Sequence, residues 1–210
     1  MNTYLEFIRP AMMDLAREVE PRPYRCEASF RMDFVLSLSP RLGLRAGERD
    51  KPLRPEEMTV ARYSWGGRDP RRGNLDFVLR DTSIECNYAY RSAVKIEQDF
   101  VKLLDYENGF TRSAYLVFGH SNILRERIGQ GFRAALSFLM AKHHVMCLSR
   151  RVDIILVEDL RDRRGGGSLR FWEANLEVLN GVVNWHEVRL ENWNGHDSLL
   201  QPGPDRFQKG

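Results

Sequence analysis

Two short apolar runs, Leu75-Asp76-Phe77-Val78-Leu79-Arg80 and Ser83-Ile84-Glu85-Cys86-Asn87-Tyr88-Ala89-Tyr90, stand either side of an Asp81-Thr82 turn, and a single acid interrupts each. Runs of this length bounded by turn residues read as strands, so the segment is expected to be a β-hairpin. Asp76 and Glu85 then lie on neighbouring strands among branched and aromatic side chains. A carboxylate in that setting costs several kcal/mol to desolvate unless it is paired or binds a cation. Side by side, the two acids are suited to hold a hard divalent ion such as Mg²⁺ jointly. Such an ion activates water and stabilises charge on a phosphodiester.

The remaining segments arrange themselves around this hairpin. Leu5, Ile8, Met12, Leu15 and Val19 fall at three- and four-residue steps and predict a helix. Pro10 opens or kinks that helix, and Pro21 and Pro23 end it. From Cys26 to Leu36 apolar and polar side chains alternate, which predicts a half-buried strand. Residues 39–73 show no periodicity and are rich in proline, glycine and arginine. They read as a long Arg-rich surface loop or insertion, with some strand around Met58–Trp65. Ala93–Tyr106 reads as a helix capped by Ser92 and ended by Asn108-Gly109. A buried strand at 114–119, a helix at 123–142 and strands at 152–157 and 184–190 follow, with a flexible Arg-Gly loop at 161–167. The expectation is one α/β domain over residues 1–192, a mixed β-sheet flanked by helices, with a polar tail at 193–210.

Composition narrows the classes further. The net charge of +3 comes from 32 basic residues nearly balanced by 29 acidic ones, which permits an anionic partner without demanding one. Cys26, Cys86 and Cys147 form no CxxC pair and sit among apolar residues, so they read as reduced, buried packing in a cytoplasmic protein. No apolar stretch approaches the length of a membrane span, and the N-terminus lacks the uninterrupted apolar region of a signal peptide. The histidines make no zinc pattern, Gly165-Gly166-Gly167 is not a phosphate-binding P-loop, and no nucleophile motif is present.

The hairpin and the segments around it resemble the PD-(D/E)XK (restriction-endonuclease-like) nuclease superfamily. That family's core is a helix, three strands, a helix and a further strand, with its first acid on the second strand and its (D/E)xK on the third. Asn74-Leu75-Asp76 stands where the first acid would be, Glu85-Cys86-Asn87 stands at the (D/E)xK, and Lys95–Asp105 looks like the helix that follows. The resemblance spans roughly residues 5–160. It implies a nuclease using Mg²⁺ or Mn²⁺ to hydrolyse DNA, with Asp76 and Glu85 as metal ligands. Glu18 (or Glu6) would be the further acid contributed by the first helix.

The motif lysine is absent, because Asn87 holds its place. An amide donates hydrogen bonds but carries no charge to stabilise a developing anion. Lys95, one turn into the following helix, is the expected catalytic substitute, with Arg91 as the other choice and Lys102 on the same face but farther along. Arg68, Arg71 and Arg72, with Tyr63 and Trp65 nearby, are expected to contact a nucleic-acid backbone and stack on bases. The alternative is a non-catalytic binding protein or homodimer on the same scaffold. There Asn87 marks the lost activity, and Phe171, Trp172, Trp185 and Trp193 offer a protein-binding face.

Overall fold

The computed structural model describes residues 4–18, 26–43, 53–65, 69–88, 93–110, 112–120, 124–143, 150–162, 166–179 and 182–194. Among these residues the chain forms four α-helices around one mixed sheet of seven strands. The elements are α1 (Leu5–Glu18), α2 (Glu27–Leu38), β1 (Leu53–Tyr63), β2 (Arg71–Leu79), β3 (Thr82–Tyr88), α3 (Ala93–Leu104), β4 (Arg112–Gly119), α4 (Leu124–His143), β5 (Arg150–Asp159), β6 (Ser168–Leu179) and β7 (Val182–Asn194). No helix among the described residues is long and apolar enough to cross a membrane.

The strands lie in sequence order. β3, β4 and β5 are parallel, and every other neighbouring pair is antiparallel. Helices α3 and α4 are the crossovers between the parallel strands. Crossovers of one hand that advance in one direction fall on the same face, and α3 and α4 pack together there. Helices α1 and α2 cover the other face, burying Ile8, Met12, Phe30 and Phe34 against Phe77, Ile84, Leu116 and Phe118. With both faces covered, β3 is buried along its whole length.

Three segments differ from the sequence expectation. Cys26–Leu36 is not a strand but lies largely in α2, because Phe30, Phe34 and Leu38 recur every four residues and bury one helical face. The alternation that suggests a strand includes Met32 and Leu36, and both are exposed. Within residues 39–73 there is more strand than the expected stretch around Met58–Trp65, since β1 runs from Leu53 to Tyr63 and β2 begins at Arg71. Strand β6 is an element the sequence reading omits. Leu169 and Phe171 pack on the α1 side while Ala174, Leu176 and Val178 pack on the α3 side, so no single apolar face advertises it.

The hairpin, α3, β4, α4 and β5 stand close to where periodicity puts them. The hairpin turns on Arg80 and Asp81, with Arg80 in the left-handed region at φ 55. Phe171 is core rather than surface, and Trp172 donates to Glu158 with the Arg125 guanidinium 4.1 Å from its ring. The side chains of Trp185 and Trp193, like Cys147 and the tail beyond Asn194, lie outside the described residues. Cys86 is buried and free, but Cys26 is exposed at the start of α2, where hydrogen bonding to Ser29 lowers its thiol pKa.

Candidate functional site

Strands β2 and β3 pair only from Phe77–Leu79 to Thr82–Ile84. Beyond that point β2 stays with β1, as far as the pair Arg71–Tyr63, while β3 stays with β4. The sheet therefore forks at Asp76. Where the ladder stops, the backbone N–H of Cys86 would lose its partner, and a buried amide left unpaired is costly. The Asp76 side chain supplies that partner, its Oδ2 accepting from the Cys86 N–H at 2.8 Å. Its Oδ1 meets the Arg31 guanidinium of α2 at 2.5 Å.

Glu85 sits one strand away on the face covered by α3 and is completely buried. The Lys102 ammonium, reaching in from α3, lies on its carboxylate. The same ammonium donates to the Asn74 carbonyl oxygen at 2.9 Å and is 3.3 Å from Asp99 Oδ1. Lys102 thus ties β2 to β3 across the fork. Asp99 is also fully buried, and Lys95 holds it from the solvent side at 2.8 Å. Among the described residues, Glu85 Oε2 and Asp99 Oδ2 are buried and accept no hydrogen bond.

Burial pushes the Glu85 carboxyl well above the ordinary carboxylate range; Lys102 opposes the shift, and the neighbouring Asp99 and Asp76 charges reinforce it. Burial alone would weaken the Lys102 ammonium, but Glu85 and Asp99 outweigh it and raise the pKa. Arg31 behaves alike, with Asp76 and Glu27 overcoming desolvation. The fork is therefore a coupled cluster of carboxylates held together by two cations that stay charged. It opens onto a polar cleft of about 440 Å³ whose walls include Glu27, Arg31, Arg72, Asp76, Lys95 and Lys102.

The expected site residues divide accordingly. Asp76 and Glu85 are brought together at the fork. Lys95 lines the cleft but pairs with Asp99, and the ammonium on Glu85 is that of Lys102, the lysine that reads as farther away in the sequence. Glu18 is exposed at the end of α1 and lines a separate recess with Asp14, Ser37 and Arg41. Glu6 is exposed in the first turn of α1. The helical acid at the cleft is Glu27 of α2, a residue hidden from the sequence reading by its assignment to a strand.

Asn87 does not face the cleft, because its amide donates to the buried Tyr115 hydroxyl at 2.9 Å. Arg72 is at the cleft and Arg71 is exposed beside it, whereas Arg68 and Arg91 lie outside the described residues. Tyr63 is buried and Trp65 stacks against it and against Phe138, so neither is a free stacking platform. Sequence did carry a signal for Asp99, the acid it left unused. Asp99 falls within the Ile96, Phe100, Leu103 stripe of α3, and a charge on an apolar stripe needs a partner.

Among the described residues, no three or more acids, histidines or cysteines are arranged to hold a metal ion. Comparison with known proteins finds no family model, no curated protein and no solved structure that matches this chain.

Proposed function

We propose that the fork is a metal-dependent phosphodiester-cleaving site of the PD-(D/E)XK type acting on DNA, with Lys102 in the role of the lysine that Asn87 replaces. One observation carries the reading: the Lys102 ammonium lies on Glu85 and bridges to Asn74, beside Asp76, at the mouth of a polar cleft. The element order supports it. Helix α2, strands β1, β2 and β3, helix α3 and strand β4 follow in that succession, with Asp76 on the second strand and Glu85 on the third.

The donor chemistry fits a small divalent ion. Asp76 and Glu85 offer carboxylate oxygens, Glu85 Oε2 has no hydrogen bond to lose, and Mg²⁺ commonly takes only one or two carboxylates with water and phosphate oxygens. Bound there, the ion would polarise a phosphate and lower the pKa of an attacking water. The chain's own residues do the rest. Lys102 fixes the Glu85 carboxylate and presents positive charge to the developing anion. Arg31 orients Asp76, while Arg72 and Lys95 hold the nucleic-acid backbone along the cleft.

Replacing each lysine tests the assignment. Lys102→Met is expected to lower Mg²⁺-dependent DNA cleavage about 10²–10³-fold, the scale for losing a charge-stabilising donor. Lys95→Met should cost about tenfold or less, as loss of a backbone contact. Equal effects, or a larger loss at Lys95, would remove Lys102 from the role.

A second reading, a non-catalytic binding module, has its own support, because Arg31 and Lys102 already neutralise both acids. If calorimetry detects no Mg²⁺ or Mn²⁺ binding and neither wild type nor Asn87→Lys cuts nucleic acid, this second reading replaces the first.

A further inference from the structure

A second recess lies on the other side of the Arg31–Asp76 pair from the polar cleft. It encloses about 370 Å³ between α2 and β1, and its walls are apolar: Met32, Val35 and Leu36 from α2, Pro55 from β1 and Phe77 from β2. The two cavities share Arg31, Glu56 and Asp76, so a single ion pair separates a polar chamber, with Arg72, Lys95 and Lys102 on its walls, from an apolar one. Met32 is 66% exposed and Leu36 is 65% exposed, which leaves apolar surface of α2 open to water at the recess. Glu56, between the register pairs Pro55–Phe77 and Glu57–Leu75, holds a left-handed φ of 51 on the rim common to both. Non-glycine residues keep that conformation only where the surroundings impose it.

We propose that this recess receives an unstacked nucleobase from the strand whose phosphate occupies the polar cleft, so that single-stranded nucleic acid is the preferred ligand. The proposal rests on reading the polar cleft as a phosphate site. A nucleotide joins an anionic group to a flat ring with apolar faces a few ångströms away, and the two chambers present that pairing of chemistries across one partition. A base within a duplex is held in its stack and reaches such a recess only after unpairing, whereas a single strand offers it freely. The aromatic rings beside the cleft do not compete for it, since Tyr63 is buried and Trp65 stacks on Tyr63 and Phe138. Few polar groups line the recess, so the fit is to a base's face and size rather than to its hydrogen-bonding edge.

The test is fluorescence anisotropy with a labelled oligothymidylate, alone and annealed to its complement, with Ca²⁺ in place of Mg²⁺ to prevent cutting. Wild type is expected to bind the single strand roughly tenfold more tightly than the duplex. Leu36→Asp, at an exposed position that leaves the fold intact, should abolish that preference while duplex affinity stays within about twofold. Equal affinities in wild type, or a preference that survives Leu36→Asp, would overturn the proposal. Duplex cleavage accompanied by equal affinities removes the base recess alone. Absence of both binding and cleavage removes the phosphate site and the recess together. If Leu36→Asp instead turns a dimer into a monomer in sedimentation, the recess is an interface between copies and the proposal fails.

Discussion

Two buried acid clusters in this molecule are built from similar parts and differ in one respect. At the end of β5, Asp159 receives Arg161 Nε at 2.8 Å and the Arg161 backbone N–H at 3.1 Å on one oxygen, and Arg161 Nη2 at 3.2 Å on the other. The same guanidinium donates to the Ala16 carbonyl, pinning α1 to the sheet. Every oxygen of that carboxylate is bonded, so the cluster is closed and structural. At the β2–β3 fork, Glu85 and Asp99 are equally buried, yet each keeps an oxygen with no hydrogen bond, and the cations that hold them stand at the edge of a cleft. Burial of a charge therefore does not distinguish function from architecture. On the reading proposed above, what marks the fork is unfinished hydrogen bonding beside an opening.

The largest expected effect lies in the closed cluster. Arg161→Met leaves Asp159 buried without its cation and should cost about 3–5 kcal/mol in urea unfolding, with metal binding at the fork unchanged. A cost below about 1 kcal/mol, the scale of an exposed pair, would erase the contrast between the two clusters.

The next effect is a pH dependence confined to the fork. Because the Glu85 carboxyl is raised in the folded state, the fold binds its proton more tightly than the unfolded chain does. Its contribution to stability is complete below the unfolded value of 4.5 and is lost as pH rises through the folded value. Chemical denaturation from pH 4.5 upward should show that decline in wild type and a flatter profile in Glu85→Gln. Parallel profiles would mean that Glu85 is ionised throughout. The smallest effect is expected at Tyr115→Phe. It removes the acceptor of the Asn87 amide and should cost about 1–2 kcal/mol of stability while leaving cleavage within about twofold. A large loss of cleavage would return Asn87 to the site.

Much of the scaffold was legible because its signals are local. The hairpin, α3 and the α4 crossover announce themselves by turn residues and by apolar spacing within a single segment. The fork was legible only in half. Asp76 and Glu85 stand out as charges in apolar strands, but their cations come from elements whose placement depends on tertiary packing. Arg31 and Glu27 belong to α2, where the Phe30, Phe34, Leu38 spacing competes with an alternation that Met32 and Leu36 complete by chance. Packing decided for the helix, which buries Phe30, Phe34 and Leu38 and turns Met32 and Leu36 to water, where a strand would face all five the same way. Lys102 reads as remote when distance is counted along α3 from Asn87, yet α3 runs back over β3 and brings its later turns beside Glu85. Strand β6 was hidden for a physical reason of a different kind: the irregularity between Phe171 and Trp172 shifts its alternation by one residue, so its two halves bury opposite faces and no single run of period two is long.

On the proposed reading Asp76 belongs to a working site and is not simply the cap of a broken β-ladder. Asp76→Asn separates these roles, because an amide oxygen can still accept from the Cys86 N–H while the charge needed by a metal is gone. The measurement is the rate of DNA cleavage with Mg²⁺ or Mn²⁺ by wild type and by Asp76→Asn at matched fold content. Metal-dependent cleavage by wild type and a loss of about 10²–10³-fold in the variant are expected. No cleavage by wild type with either ion, or cleavage undiminished in Asp76→Asn, would contradict it.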